Sequence, residues 1–380
     1  MSSEQVIKSL VFWITRLQDN LITVLKEEMK EKCFIRGIGV VSAQGIWRSD
    51  FFDEAVEITV SKAYAEQPSY KELIAPNMIR RMSKGIKMGI YAAQQALDEA
   101  GVSELDAVIT GTGLGCLEDS EKFLKNVLDN DEEFLTPTSF IQSTHNTVGA
   151  QIALRLGCKA YNFTYVNGAV SFESALLDSL EQLQGGDAHS ILVGGIDEIS
   201  GHTFTLKQLI GEVKADDVQE TIRTSNSAGV NYGEGATFFT LSHVSSVDSY
   251  AEVVDVCVQN RLDKEELADF VDRFLEVNKL DRSVISALVL GNSGDITYDH
   301  YFEELGKLFE DRAQLYYKHL YGHSDIASAF GMATAAYVLK EQSIPENIVW
   351  KAGKQIPLTY VLLYNQYKGR DHSLVLLKSS

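Results

Sequence analysis

Residues 106–115 read "DAVITGTGLG" and residues 286–295 read "SALVLGNSGD". Each is an apolar, strand-forming run that ends in a corner of glycine with serine or threonine. The two stretches occupy matching places in two series. In the first part of the chain "FIRGIGVVSA" (34–43), "HSILVGGIDEI" (189–199) and "GATFFTLSH" (235–243) also read as strands. In the second part the strands are "AEVVDVCVQN" (251–260), "LTYVLLYNQY" (358–367) and "HSLVLLKSS" (372–380), and each series closes on two β-rich segments. Helical stretches lie between them, the alternation that gives an α/β fold. The repeated order predicts an internal duplication, with matched strands starting near residues 34 and 251. The boundary is expected at 245–249, dividing the chain into residues 1–32, 33–246 and 247–380.

The glycines of "GTGLG" (111–115) lack both the spacing of a dinucleotide loop and the Lys-Ser/Thr of a phosphate loop. They are expected to serve close backbone packing at a strand end. In residues 1–32, Val6, Leu10, Trp13, Ile14, Leu17, Leu21, Val24 and Leu25 recur at helical spacing, which predicts an amphipathic helix or extension. Its longest apolar run, "LVFWI", is too short for a signal peptide or a membrane span.

The 380 residues carry a formal charge of −19, from 34 basic and 53 acidic residues, which argues against a nucleic-acid partner. Four cysteines, Cys33, Cys116, Cys158 and Cys257, stand far apart. Their spacing predicts neither a zinc site nor a disulfide framework, and points to a reducing, cytoplasmic setting. No metal and no cofactor are expected.

Residues 161–176, "YNFTYVNGAVSFESAL", run from a strand through a small-residue corner into a helix. This layout presents a nucleophile in many enzymes, yet no cysteine stands at the corner. Ser171 is the hydroxyl nearest to it, and a serine in a first helical turn more often caps the helix.

"FIRGIGVVSAQG", "RRMSKGIKMGIYAAQQALDEAG", "QGGDAHSILVGGIDE", "NYGEGATFF" and "KHLYGHSDIASAFGMATAAYVL" resemble, in order, five signature stretches of the β-ketoacyl-acyl carrier protein synthase (ketosynthase) family. The resemblance implies the duplicated thiolase-like fold, five-layered as α/β/α/β/α. It also implies a set of catalytic parts. A cysteine at a helix start takes the acyl group, where the helix dipole and nearby cations favour thiolate. Two histidines and a lysine stabilise the enolate formed on decarboxylation, and backbone N–H groups form an oxyanion hole.

Matched residue by residue, most of these parts are missing. The cysteine position falls on Asn167, Gly168 or Ala169, and Cys158 lies at the wrong end of the strand. Asn292 replaces the first histidine. A Gly-Phe-Gly-Gly turn has become "QYKGR", with Gly369 between Lys368 and Arg370. Lys318 and His323 keep the family's spacing. Such groups act as a unit, so this combination implies lost condensation activity.

The resemblance therefore implies a degenerate, chain-length-factor-like subunit of fatty-acid or polyketide-type biosynthesis. It would act as a homodimer or as a heterodimer with a cysteine-containing ketosynthase. Two alternatives stay open: an acyltransferase or malonyl decarboxylase using Lys318 and His323, and a non-catalytic dimer that binds acyl carrier protein. In either dimer "YNFTYV" and "STHNTVGAQIAL" are expected at the interface, with His145 and Asn146 serving it or capping a helix. Arg80, Arg81, Lys84 and Lys87 form a basic cluster in an acidic chain, a candidate docking patch for acidic acyl carrier protein.

Overall fold

A computed structural model of the chain describes residues 31–133, 135 and 137–380. The amphipathic helix expected in residues 1–32 lies almost wholly outside the described residues. The first strand shows how the sequence builds layers. In β1 (Phe34–Ser42), Ile38 and Val40 enter one buried cluster, while Gly37 and Gly39 face the other way. A Cβ on either glycine would strike the carbonyl oxygen of Ala96 or Ala92. Helix α1 (Lys84–Ala100) therefore packs backbone to backbone on this strand. Its Glu99 and Gln95 accept hydrogen bonds from the Ile38 and Val40 amides at 2.7 and 3.1 Å. Ser83 caps the start of α1, accepting from the Ile86 amide, and Gly101 in left-handed backbone ends it.

Along the first series follow β2 (Ala107–Gly111), α2 (Leu117–Asp129), α3 (Thr147–Leu156), β3 (Tyr161–Tyr165), α4 (Ser171–Gly185), β4 (Ser190–Asp197), α5 (Gly201–Leu209) and β5 (Gly235–Ser242). The second series comprises β6 (Glu252–Asn260), α6 (Leu267–Val277), β7 (Ile285–Leu290), α7 (His300–Lys307), β8 (Ala313–Tyr316), α8 (Ala327–Glu341), β9 (Val349–Lys351), β10 (Tyr360–Tyr367) and β11 (Asp371–Lys378).

The strands run in the order β3-β2-β4-β5-β1, then β6-β11-β10-β7-β8-β9. β2 pairs parallel with β3 and β4, and β7 pairs parallel with β8 and β10. β5 runs antiparallel between β4 and β1, as β11 does between β10 and β6. The two series thus repeat one topology and meet at a single paired position, Phe34 with Glu252.

Alternation along the strands separates three apolar clusters. Ala287 and Val289 of β7 face the central one, whereas Ile285, Leu288 and Leu290 face the outside of the second sheet. α4 and α8 fill the central cluster. α1 and α3 cover the first sheet, α6 and α7 the second. The result is the duplicated α/β/α/β/α arrangement expected for a thiolase-like fold. No helix among the described residues is long and apolar enough to cross a membrane.

Two of the five signature stretches meet between the halves. The His323 amide donates to the Asn231 carbonyl at 2.8 Å, and the Gly233 amide donates to the His323 carbonyl at 2.9 Å. A Cβ on Gly233 would lie 2.1 Å from the Tyr321 carbonyl oxygen. Since backbone must shift to relieve that contact, Gly233→Ala should destabilise the protein by roughly 1–3 kcal/mol. Urea unfolding monitored by tryptophan fluorescence measures this; an unchanged midpoint would show that the joint tolerates a side chain.

Candidate functional site

The chain leaves β3 at Tyr165, turns through a single 3₁₀ turn at Gly168–Val170 and enters α4 at Ser171. Gly168 holds a left-handed backbone, φ 57°. Asn167 is exposed, whereas Ala169 is buried. The Ser171 hydroxyl accepts from the Asn167 amide at 2.8 Å and donates to the Gly168 carbonyl at 2.6 Å. It closes the corner on itself, is wholly buried and has no base beside it among the described residues. Its role is to fix the turn. Cys158 lies before β3, its thiol directed at the Leu105 carbonyl, far along the strand from this corner.

Gly111 and Gly113 of "GTGLG" do pack closely. A Cβ on Gly111 would meet the backbone of Ser171, and one on Gly113 would meet Asp325. The Asp197 carboxylate, at the end of β4, accepts from the Gly113 amide and the Thr112 hydroxyl, both at 2.9 Å. Burial, reinforced by the Asp325 charge, pushes its pKa above the ordinary carboxylate value. These glycines therefore bring strand ends to a protein carboxylate and form no phosphate cradle.

After β7 the chain makes the loop Gly291, Asn292, Ser293, Gly294. The Asp299 carboxylate pins it, accepting from the Ser293 and Gly294 amides at 3.1 and 2.8 Å and from the Ser293 hydroxyl at 2.9 Å. Asn292 is buried, and its Oδ1 has no hydrogen-bond partner among the described residues. Lys214 reaches the same loop from the opposite side, donating to the Gly294 carbonyl at 3.2 Å and to the hydroxyls of Ser225 and Ser227 at 2.8 Å. His300 is the first residue of α7.

Lys318 opens the short helix Lys318–Tyr321 and is buried. Its ammonium donates to Asn365 Oδ1 at 2.9 Å. Burial pulls its pKa down to about 8, opposed by the charges of Asp299, Glu173 and Asp325. Glu173, on the inner face of α4, accepts from the Ser373 hydroxyl at 2.7 Å and so ties the helix to β11. His323 is also buried. Desolvation, aided by Lys318, Lys207 and Lys368, lowers its pKa well below the ordinary value, so the imidazole is neutral. The Tyr367 ring lies stacked on it, centroids 5.5 Å apart.

The turn between β10 and β11 has Lys368 and Gly369 both in left-handed backbone. The Gly369 amide donates to Gln366 Oε1 at 2.9 Å, and that of Arg370 to the Tyr367 carbonyl at 3.0 Å. Both N–H groups are used within the turn. Ser293, His323, Gln366, Tyr367 and Lys368 line a pocket of about 260 Å³ with Lys207, Glu212 and Tyr232. Asn292, Lys318 and residues 167–169 do not line it. The structure thus gathers Lys318, the Asn292 loop and the altered turn at one end of the sandwich. There the 168–170 turn packs on β11. Of the matched positions, His323 and the residues Gln366, Tyr367 and Lys368 of the altered turn reach the pocket.

Asp299, Lys214, Asp197 and Asp325 were not singled out by sequence reasoning. Asp299 had a local signal, an acidic residue just before α7, and Asp325 stands two residues after His323, but Lys214 and Asp197 become neighbours of the site only through folding.

The basic cluster needs correction. Lys84 is not a free surface charge: its ammonium binds the buried Glu234 at 2.7 Å and Glu118 at 2.9 Å, at the start of α1. Arg80 and Arg81 are exposed and Lys87 is half-buried, so the candidate patch contracts to these three.

The family model for the β-ketoacyl synthase N-terminal domain matches residues 47–246. Three solved structures share the fold. The ishigamide ketosynthase/chain length factor superposes with a TM-score of 0.77 at 18% identity. A β-ketoacyl synthase from Burkholderia phymatum STM815 gives 0.76 at 16%. A type II polyketide synthase complex, the acyl-carrier protein with its ketosynthase bound to the hexaketide, gives 0.74 at 14%. Each alignment covers 92% of this chain and 100% of the other.

The buried ammonium yields a pH test. Lys318 loses its proton near 8 in the folded protein and near 10.5 when unfolded, so across that window the unfolded chain binds more protons and stability rises with pH. Relative to Lys318→Met, the wild type should gain on the order of 3 kcal/mol between pH 7 and pH 10.5. Urea unfolding of both proteins at these two pH values measures the gain, and a difference that stays constant with pH would contradict the burial of a charged ammonium.

Proposed function

Because this chain belongs to the β-ketoacyl synthase family, we propose that it is a non-condensing partner subunit of the chain-length-factor type. It pairs with a cysteine-bearing ketosynthase of fatty-acid or polyketide-type biosynthesis and meets an acyl carrier protein. On this reading residues 33–246 and 247–380 are the two ketosynthase-like halves. The observation that carries it is the corner at Asn167, Gly168 and Ala169, where no thiol stands and the one nearby hydroxyl, Ser171, is locked into the turn. Asn292 in place of a histidine supports the same conclusion. So does a turn whose Gly369 amide is already bonded to Gln366.

Pairing is supported by the free edge of the first sheet. β3 is the last strand there and pairs only with β2 among the described residues. Tyr161, Phe163 and Val166 are exposed on it, and Leu154, Phe140 and Ile141 are exposed on the adjacent helical segments. An uncovered edge strand with an apolar face is a template for association. Asn146 stands at the start of α3 and His145 is exposed beside it, both within this surface.

A second reading has one observation in its favour: His323 reaches the 260 Å³ pocket, with Lys318 buried behind it. A decarboxylase of malonyl-carrier thioester using these two residues would turn over the thioester alone, and His323→Ala would abolish that turnover.

Under the partner-subunit reading, incubation with an acyl-carrier thioester should leave no covalent adduct on residues 161–176 by intact-protein and peptide mass spectrometry. Ala169→Cys should not restore condensation, because the Asn292 position and the turn are changed as well. An acyl group on Ser171 of the wild type would overturn the proposal.

Phe163→Arg should abolish pairing with itself or a co-expressed ketosynthase in size-exclusion chromatography with light scattering. A wild type that remains monomeric at micromolar concentration and recovers no partner would contradict the assigned role. Reversing Arg80, Arg81 and Lys87 to glutamate should remove salt-sensitive carrier binding, and binding unchanged by these substitutions would place the docking surface elsewhere.

A further inference from the structure

The ends of three adjacent strands, opposite the pocket, bring Glu31, His189 and His243 together. His189 immediately precedes β4 and His243 immediately follows β5. The antiparallel register pairs Ser190 with Ser242, so the two histidines occupy the next opposed positions. Their rings lie 4.7 Å apart between centroids. Glu31 arrives on the strand beyond, just before β1, with its amide bonded to the Gln184 carbonyl at 3.2 Å at the end of α4.

One ligand atom from each of the three side chains lies within 4.8 Å of the other two. His243 Nδ1 is 3.1 Å from the His189 carbonyl. A carbonyl can only accept, so the ring proton sits on Nδ1 and the Nε2 lone pair is left for a ligand. That Nε2 faces Glu31 Oε2 at 4.0 Å. Glu31 Oε2 is shielded from solvent and has no hydrogen-bond partner among the described residues. The neighbouring lysine, Lys32, is engaged by Glu252 and not by Glu31.

We infer that Glu31, His189 and His243 form a binding site for a divalent transition metal, with zinc as the occupant their chemistry fits best. Two imidazoles and a carboxylate are borderline nitrogen and oxygen donors of the kind zinc takes, and a fourth position stays open to water. Tetrahedral zinc needs ligand atoms about 3.4 Å apart, which a modest turn of partly exposed side chains achieves. The ion would clasp the chain before β1 to the ends of β4 and β5, and would satisfy the carboxylate oxygen that the fold leaves without a partner. The cysteine spacing gives no hint of this site, since its ligands are separated by more than fifty residues at every step and converge only through the sheet.

The test uses the full chain, freed of any affinity tag and dialysed against chelator. Zinc chloride titrated calorimetrically should bind one ion per chain with micromolar or tighter affinity, and cobalt(II) chloride should develop the visible absorption of a tetrahedral site. His243→Gln and Glu31→Gln should each weaken binding by at least about tenfold. Because the site stabilises only the folded state, zinc should raise the melting temperature of the wild type and not that of either variant. The variants remove no core side chain, and their far-UV circular dichroism checks that they fold. Absence of stoichiometric zinc binding, or equal binding by the wild type and both variants, would overturn the assignment and leave an ordinary histidine–glutamate contact.

Discussion

The architecture depends on two helices that have sheet on both sides. α4 and α8 fill the space between the sheets, so α8 is buried along nearly its whole length and α4 leaves only a strip with Asp178, Glu181 and Gln182 toward solvent. α8 answers with small residues: Ala327, Ser328, Ala329, Gly331, Ala333, Ala335 and Ala336 are all buried. A side chain on Gly331 would strike the Tyr317 ring. Close packing of this kind leaves little room for repacking, and the buried Thr334 hydroxyl turns back on its own helix, donating to the Phe330 carbonyl at 2.9 Å. The starts of both helices lie at one end of the sandwich. The corner before α4 and the His323 segment before α8 therefore belong to the same region, although more than 150 residues separate them.

That region is held by buried polar groups whose energetic logic does not require catalysis. Lys318 is buried with Asp299 and Glu173 close enough to bias its charge. Asp299 organises the Asn292 loop, and Glu173 anchors α4 to β11. Removing one member of such a set leaves a buried charge without its partner, which is costly even when no reaction is carried out. Lys318 and His323 therefore have a place in the fold that is independent of any reaction. The matched positions that differ from the family pattern are the corner at residues 167–169, Asn292 and the turn around Gly369.

At two loop positions the polar groups are bonded within the protein. At the corner, Ser171 uses its hydroxyl twice to close the turn. At the hairpin, Gln366 takes the Gly369 amide and Tyr367 covers His323. Hydrogen-bonding capacity that a reacting carbonyl would draw on is spent inside the protein. The outer edge of β3 stays uncovered among the described residues, with aromatic side chains on it.

The sequence by itself was enough for the α/β class and the duplication, because alternating apolar positions and turn residues act within a few residues of one another, while the five layers followed from the family resemblance. "FIRGIGVVS" carries its own instruction: two glycines on one strand face demand a helix backbone there, and Ala92 and Ala96 supply it. The absence of a cysteine at the corner and of a histidine at Asn292 was equally legible. Tertiary structure decided which polar side chains are free. Lys84 reads as a surface charge in sequence and proves to be the partner of buried Glu234. Asp299, Lys214 and the Glu31, His189 and His243 group gain meaning only when distant segments meet. The reason is one of range: backbone preferences and periodicity are local, whereas burial, pKa and coordination depend on neighbours that strand order brings together from across the chain.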